Sequence, residues 1–419
     1  MRLVGVHVRE EVRRWAGAAI LPHPHRRTWI VRLETDRDTT AEGEIAWLPR
    51  HGPTPDIASL VAAWARGQLG HPLPDSQVDP ALPGPVAWAI TTALATLQSA
   101  WPASTPVPEN GLLHAESGSP IDVARNWSAH MAAQPQIRTW KVKVGRLSFA
   151  EDLARLEALT LPPGVCLRLD PNQSWGALDP NSVADALAGL PIDYIEEPVA
   201  WPALAGWART GLPCAADESV SLVDLDTLAD AGLCAVVIKP STLGALGTVT
   251  ALIDRATTRG LQVVVSSALE GPIGRAHLEA IARTLPEPRA AAGLARHTLQ
   301  DAPVSETPIL HCTLTDDPLR DAARRFADSV AVETARGQMT FAEWDHEADV
   351  RARALGDRTG ARLAVEIADL EGAIRFAAIA SPVHRSLWRP ARGRVWVPGC
   401  GLAWPLTPPL TPALQLTPI

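Results

Sequence analysis

The chain has 419 residues, 46% of them hydrophobic and 20% charged, with a formal net charge of -8. That length and apolar content suit two or three globular domains, and an acidic chain without a long basic block disfavours a nucleic-acid partner. No apolar run approaches the length of a membrane span, and the charged stretch 9–14, followed by an apolar run that stops at Pro22, fits a signal peptide poorly, so a cytoplasmic protein without a membrane partner is expected.

The first segment reads as an α+β unit over 1–110. Residues 29–34 and 41–46 are strand-like and are separated by the turn-forming Asp36, Arg37 and Asp38. Helical patterns follow at 57–67 and 85–100. The stretch 14–27, with His23 and His25, reads equally as a cover over a mouth or as a solvated loop.

From 111 the pattern changes. Short apolar runs at 140–144, 165–169, 194–195, 214–216, 235–238 and 263–265 are each followed by an amphipathic stretch. Positions 143, 170, 196, 217, 239 and 266 lie at their ends, spaced 21 to 27 residues apart. That is the length of a strand, a loop, a helix and a return loop, and such units closing on themselves make an α/β barrel. An open doubly wound sheet would need a G-x-G-x-x-G after its first strand, and none is present. Beyond 312 the periodicity breaks. A helix is expected at 318–326, a strand at 338–341, a helix at 342–355, and extended, poorly ordered chain in the Pro-, Leu- and Thr-rich tail from Gly399.

Of the five cysteines, Cys166, Cys214 and Cys234 sit in apolar runs and read as small buried hydrophobes. With Cys312 and Cys400 they form no C-x-x-C pair, so a reducing compartment is expected. Trp140 and Trp175 read as packing residues.

The chemistry-bearing residues gather at the strand ends. In order they are Lys141 and Lys143, then Arg168, Asp170 and Asn172, then Glu196 and Glu197. Asp217 and Glu218, Lys239, and Ser266 and Ser267 follow. The C-terminal strand ends of a βα barrel face one mouth, so these residues converge. Lys141 and Lys143 alternate with Val142 and Val144, which places both lysines on the inner side of one strand. A single Lys or Asp at such a position is more often a solvated loop residue. Six successive strand ends carrying Lys, Asp, Glu, Asp, Lys and Ser are not explained that way.

Ionised groups inside a barrel are costly unless paired or metal-bound. Asp170, Glu196 and Asp217, from three successive strands, make an all-oxygen site suited to Mg2+ with retained waters, with Mn2+ as a substitute. No histidine or cysteine accompanies them, which argues against zinc. Paired lysines then suit proton abstraction next to a substrate carboxylate, which creates an enediolate that cationic groups stabilise. Lysine ordinarily titrates near 10.4. A lysine base working near neutral pH therefore needs its pKa brought down by about 3, or about 4 kcal/mol, and cationic neighbours act in that direction.

The stretches Lys141-Val142-Lys143-Val144-Gly145, Arg168-Leu169-Asp170-Pro171-Asn172-Gln173-Ser174-Trp175, Ile195-Glu196-Glu197-Pro198, Asp217-Glu218-Ser219, Ile238-Lys239-Pro240 and Ser266-Ser267 resemble the enolase superfamily. Within it they resemble the o-succinylbenzoate synthases of menaquinone biosynthesis, with support from Gly43-Glu44, Asn110-Gly111-Leu112-Leu113 and Gly293-Leu294-Ala295. The resemblance covers roughly 1–312. It implies an α+β N-terminal capping domain and a (β/α)7β TIM-like barrel over 111–312, whose last part returns to the cap. It implies Mg2+ on Asp170, Glu196 and Asp217, Lys143 as general base, and Lys239 as stabiliser of the enediolate. Lys141, Arg168, Asn172, Glu218, Ser266, Ser267 and Gly293 are implied to contact substrate or support the site. The implied reaction is syn dehydration of a cyclohexadiene carboxylate to o-succinylbenzoate. N-acylamino-acid racemases and dipeptide epimerases share the paired-lysine pattern, and an inactive barrel acting as a scaffold for a ligase partner is the alternative from another class. Residues 313–419, through Asp321 to Asp328 and Met339 to Trp344, resemble the start of an adenylate-forming acyl-CoA ligase without its phosphate-binding loop, a truncated extension.

Overall fold

The computed structural model describes residues 1–14, 25–75, 82–102, 105–113, 118–294 and 302–313, short pieces between 328 and 346, and two strands further on. The first sheet is antiparallel, in the order β11-β1-β2-β3, from β1 (Leu3–Arg14), β2 (His25–Thr35), β3 (Thr40–Ile45) and, distant in sequence, β11 (Ser305–Thr313). Val6 and Val8 of β1 and Trp29, Val31 and Leu33 of β2 face one side, and two helices cover them. These are α1 (Ile57–Gln68), capped by Asp56 accepting from Ser59 N, and α2 (Gly84–Leu97). Only α1 is two-faced. Eleven consecutive residues of α2, Pro85–Ala95, are buried, because it lies between sheet and barrel. Its Ala89 and Ile90 pack with the sheet, while Trp88 and Ala95 pack with the barrel core.

Seven parallel strands follow in sequential order, each trailed by a helix. They are β4 (Gly111–Leu113) with α3 (Pro120–Ala132), β5 (Thr139–Lys143) with α4 (Phe149–Glu157), and β6 (Cys166–Asp170) with α5 (Pro180–Leu187). Next come β7 (Ile192–Glu196) with α6 (Ala203–Ala208), and β8 (Cys214–Ala216) with a 3-10 turn at Glu218–Ser221 and α7 (Leu225–Asp230). The last are β9 (Ala235–Ile238) with α8 (Pro240–Leu243) and α9 (Leu246–Thr258), and β10 (Gln262–Val265) with α10 (Pro272–Thr284). The ring closes through a short extended piece: Ala292 bridges Glu109 before β4, and Gly293 bridges Ser266 after β10, both in parallel sense. This is an α/β barrel of seven βα units and a closing strand position, beside an antiparallel sheet. Helix starts carry their own signals, such as the reciprocal Ser148–Glu151 capping box that opens α4.

β1 is a strand that the sequence reading did not anticipate. Its charged half, 9–14, pairs Arg9 with Glu42 and Arg13 with Glu11 across the sheet face. Cys214 is buried as expected, but Cys166 is half-buried and Cys234 exposed. No disulfide joins the described cysteines. A strand, Gly337–Thr340, pairs with Val330–Thr334 close to the one expected at 338–341, and Leu363–Val365 pairs with Leu416–Pro418. The helix expected at 318–326, most of the one at 342–355, the tail from Gly399 apart from that last strand, and residues 15–24 lie outside the described residues. Among the described residues no helix is long and apolar enough to cross a membrane.

β3 lies so close to α2 that a Cβ built on Gly43 would collide with the carbonyl group of Ala89. Both partners are backbone, so neither can yield by changing rotamer. Gly43→Ala should therefore destabilise the protein by about 1–3 kcal/mol or more. Urea unfolding checks this, and an unchanged midpoint would contradict the contact.

Candidate active site

The strict alternation of side chains along the barrel strands builds the site. Val142, Leu167, Leu169, Ile195, Val236, Ile238, Val263 and Val265 point outward into the layer shared with the helices. The intervening residues point inward. Low in the barrel they form an apolar plug of Tyr194, Ala215, Ala235, Val237 and Val264, joined by Ala290. One step toward the strand ends, the inward positions become Asp170, Glu196, Asp217, Lys239 and Ser266, with Lys141 and Lys143 beside them. The charges therefore rest on a floor that is apolar apart from Arg168, which lies over the Tyr194 ring.

The lysines and acids meet. Lys141 Nζ lies 2.7 Å from Asp170 Oδ2 and 2.6 Å from Glu196 Oε1. Lys143 Nζ pairs with Asp170 and donates to Asn172 Oδ1 at 3.1 Å. Lys239 pairs with Asp217. Asn172 and Gln173 both have left-handed backbone, which turns the chain sharply after β6 so that Asn172 N bonds Asp170 Oδ1 at 3.0 Å. Ser266 N bonds the Ile238 carbonyl at 2.8 Å, which sets Ser266 beside the Lys239 strand end. Gly293 is packed against Ser266, and a Cβ there would stand 2.6 Å from Ser266 Oγ.

Other expected members sit elsewhere. Arg168 faces inward but one layer deeper than Asp170. Its guanidinium bonds Asp193 at 2.8 Å and the Ala291 carbonyl at 2.5 Å, and stacks 4.7 Å from the Tyr194 ring centroid. It joins β6, β7 and the closing segment at the barrel floor, where Asp193 and the Ala291 carbonyl hold it, whereas Lys141, its register partner on β5, turns up to Asp170 and Glu196. Glu218 makes no ion pair with the lysines among the described residues, and its Oε2 is buried without a hydrogen-bond partner there. Ser267 turns from the mouth to bond Glu270 at 2.6 Å.

Two buried acids that stood out in sequence take roles there that the sequence did not indicate. Glu197, in left-handed backbone, accepts from Asp217 N at 2.8 Å and from Ser219 Oγ, and so fixes the loop that carries Asp217. Glu44 of β3 accepts from Gly271 N at 2.7 Å and Gly274 N at 2.8 Å, tying the first sheet to the start of α10. The doublet Glu196-Glu197 and the pair Gly43-Glu44 were visible in sequence, but their partners lie about 20 and 230 residues away.

Burial disfavours the charge on Lys141, yet Glu196, Asp170 and Asp217 outweigh it and hold the ammonium protonated. Burial likewise works against ionised Asp170, but Lys141 and Lys143 keep it well below the usual carboxylate range. Glu196 is the exception. Burial, with Asp170 and Asp217 adding repulsion, pushes it up to about 7 despite Lys141.

Among the described residues no three acid, histidine or cysteine side chains stand together as a ready cage for an ion. The donor set nevertheless suits a hard divalent cation. Asp170 and Glu196 already share one cationic centre, the Lys141 ammonium, and Asp217 adds its field to both Lys141 and Glu196. All three offer oxygen alone.

A carboxyl group whose pKa is higher folded than unfolded binds more protons in the folded state between the two values. The contribution of Glu196 to stability is therefore full below its ordinary value of 4.5 and lost as pH rises through about 7. Asp170 and Asp217 act in the opposite sense, but below 3.8. In chelator, Glu196→Gln should melt above wild type at pH 8, and the gap should close at pH 5. A gap identical at the two pH values would contradict this environment.

Comparison with known proteins gives one answer at the level of family. Residues 123–331 match the family described as Enolase C-terminal domain-like. An o-succinylbenzoate synthase of Yersinia enterocolitica is 31% identical over 271 residues, covering 60% of this chain and 77% of that protein. One of Aliivibrio salmonicida is 29% identical over 307 residues, covering 70% and 89%. Among solved structures, a dipeptide epimerase from Enterococcus faecalis complexed with Mg and L-Leu-L-Tyr superposes with a TM-score of 0.61 at 20% identity, covering 75% of this chain and 98% of that one. An enolase superfamily member from Roseovarius nubinhibens complexed with magnesium gives 0.58 at 25% identity, covering 74% and 94%. With the barrel, the adjoining sheet and a relative above 30% identity matched over 77% of its length, this chain belongs to the enolase superfamily.

Proposed function

We propose that the chain is an o-succinylbenzoate synthase, catalysing the syn dehydration of 2-succinyl-6-hydroxy-2,4-cyclohexadiene-1-carboxylate in menaquinone biosynthesis. The observation that carries this reading is the placement of Lys143 and Lys239. Counting around the eight-position ring, β5 and β9 are opposite, and the three acid-bearing strands β6, β7 and β8 fill one arc between them. A small carboxylate between the two lysines would have one amine on each side. The named function of curated relatives at about 30% identity supports the same choice.

In this reading Asp170, Glu196 and Asp217 hold Mg2+, with Mn2+ as a substitute. When bound, the divalent cation supplies positive charge that lowers the cost of placing a second negative charge on the substrate carboxylate. Lys143, oriented by Asp170 and Asn172, takes the proton next to the carboxylate. Lys239, held by Asp217, faces the developing enediolate from the opposite side. The carbon–oxygen bond then breaks, the departing hydroxide receives the proton from Lys143, and water leaves. The ring becomes aromatic, so the substrate itself supplies the driving force.

The same opposition of lysines favours a second reading, an N-acylamino-acid racemase or dipeptide epimerase, in which each lysine serves as base to one face. The resemblance of 313–419 to the start of an acyl-CoA ligase supports the synthase, since such a ligase consumes o-succinylbenzoate. ATP-dependent CoA ester formation by this chain is not expected, because the extension lacks a phosphate-binding loop.

Two sets of variants test the assignment, read by the absorbance change as the cyclohexadiene is consumed. Asp170→Asn, Glu196→Gln and Asp217→Asn should each abolish turnover and weaken Mg2+ binding, and full activity in Glu196→Gln would sink the metal assignment. Lys143→Arg should be inactive, since a guanidinium cannot act as a base near neutral pH. Lys239→Arg should retain partial activity, and Lys239→Ala should lose about a hundred- to a thousandfold. Equal and complete loss in both Arg variants, with folding and metal binding intact, would favour the racemase.

A further inference from the structure

The loops that follow β9 and β10 are joined by a buried side chain outside the lysine–acid cluster. Glu270 is fully buried. Its Oε2 accepts from Ser267 Oγ at 2.6 Å and from Ala268 N at 2.7 Å. Leu269 N bonds Ser267 Oγ at 3.0 Å, so the 267–270 turn is closed on itself, with Leu269 in left-handed backbone. The other oxygen, Oε1, leaves this turn and accepts from Ser241 Oγ at 2.6 Å.

Ser241 is also fully buried and lies two residues beyond Lys239. Its neighbour Thr242 grips the Lys239 carbonyl with both its N–H, at 2.9 Å, and its hydroxyl, at 2.8 Å. Behind Glu270 the backbone of Gly274 packs closely. A Cβ at Gly274 would stand 2.6 Å from Glu270 Cβ, and Gly274 is itself held by Glu44. Arg26 of β2 fixes the turn from the sheet side, donating to the Leu269 carbonyl at 3.0 Å and to the Trp47 carbonyl at 2.8 Å. The chain of bonds thus runs from the first sheet through the 267–270 turn to the residue pair that holds the backbone of Lys239.

We propose that Glu270 is a positioning residue for Lys239: through Ser241 it braces the strand end that carries this lysine against the β10 turn and the capping sheet. The proposal rests on the reading of Lys239 as the stabiliser of a developing enediolate. A charge placed to meet the transition state loses its effect when displaced by a fraction of an ångström, so the brace should show in kcat more than in KM.

A double-mutant cycle with Lys239 tests it. Ser241→Ala removes only the bond between the loops and leaves the 267–270 turn closed. It should lower kcat about ten- to a hundredfold with KM little changed. Glu270→Ala should do at least as much, while Glu270→Gln should recover most of the rate, since its amide oxygen can serve Ser267 and Ala268 and its amine can donate to Ser241. In a Lys239→Ala background neither Ser241→Ala nor Glu270→Ala should cost anything further. Equal losses with and without Lys239, or a rise in KM alone, would overturn the proposal. Amide hydrogen exchange gives a readout independent of turnover: Thr242 should exchange faster in Ser241→Ala and Glu270→Ala than in wild type, and unchanged exchange would overturn the brace. Absence of turnover in wild type would instead count against the synthase reading, and the exchange result would still decide the brace.

Discussion

Three acids and three lysines share the inside of one barrel mouth, and neither set is tolerable there without the other. Asp170, Glu196 and Asp217 are almost wholly excluded from water, above a floor of Tyr194, alanines and valines. Water cannot repay the cost of ionising them, so the lysines must. The compensation is uneven. Lys141 is drawn to two carboxyl groups at once and is fixed as a cation, Asp170 is pulled low by two lysines, and Glu196 is left short of positive charge. A cluster with one under-compensated carboxyl group is chemically ready for a further cation.

This cluster dictates much of what surrounds it. Opposed charges within 3 Å hold their geometry only if the strand ends carrying them are fixed, and here each end has its own anchor. Asn172 closes the turn after Asp170, Glu197 holds the loop of Asp217, and the Thr242 contacts hold the backbone of Lys239. Most of these anchors are hydrogen bonds to backbone groups, which fix position without adding another charge to the mouth.

The antiparallel sheet takes part in the same construction. Helix α2 is buried on both sides between sheet and barrel, Glu44 caps the start of α10, and Arg26 grips the β10 turn. Strand β11 follows the barrel in sequence and pairs with β1, so the sheet takes strands from both sides of the barrel in the chain. The sheet is therefore built into the wall of the mouth beside Ser266 and Ser267.

What the sequence determined by itself is local and periodic. Lys141 and Lys143 flank Val142, and Asp170, Glu196, Asp217, Lys239 and Ser266 each end a short apolar run, so a period of two and a repeat of 21 to 27 residues suffice to bring them to one rim. What only the tertiary structure decided depends on distant partners or on depth. Strand β1 was not read as a strand, since its pairing partners, β2 and β11, and Glu42, which meets Arg9, are found only in three dimensions. Arg168 shares its inward face with Asp170, and sequence spacing cannot tell that Asp193 and the Ala291 carbonyl hold it at the floor while its register partner Lys141 reaches the acids. The closing strand position at Ala292 and Gly293 is too short to carry a pattern and exists because Glu109 and Ser266 stand on either side of it. Glu44 and Glu270 gave no sign of their work, since a buried hydrogen-bond acceptor is defined by its donors, and those of Glu44 lie 227 and 230 residues away.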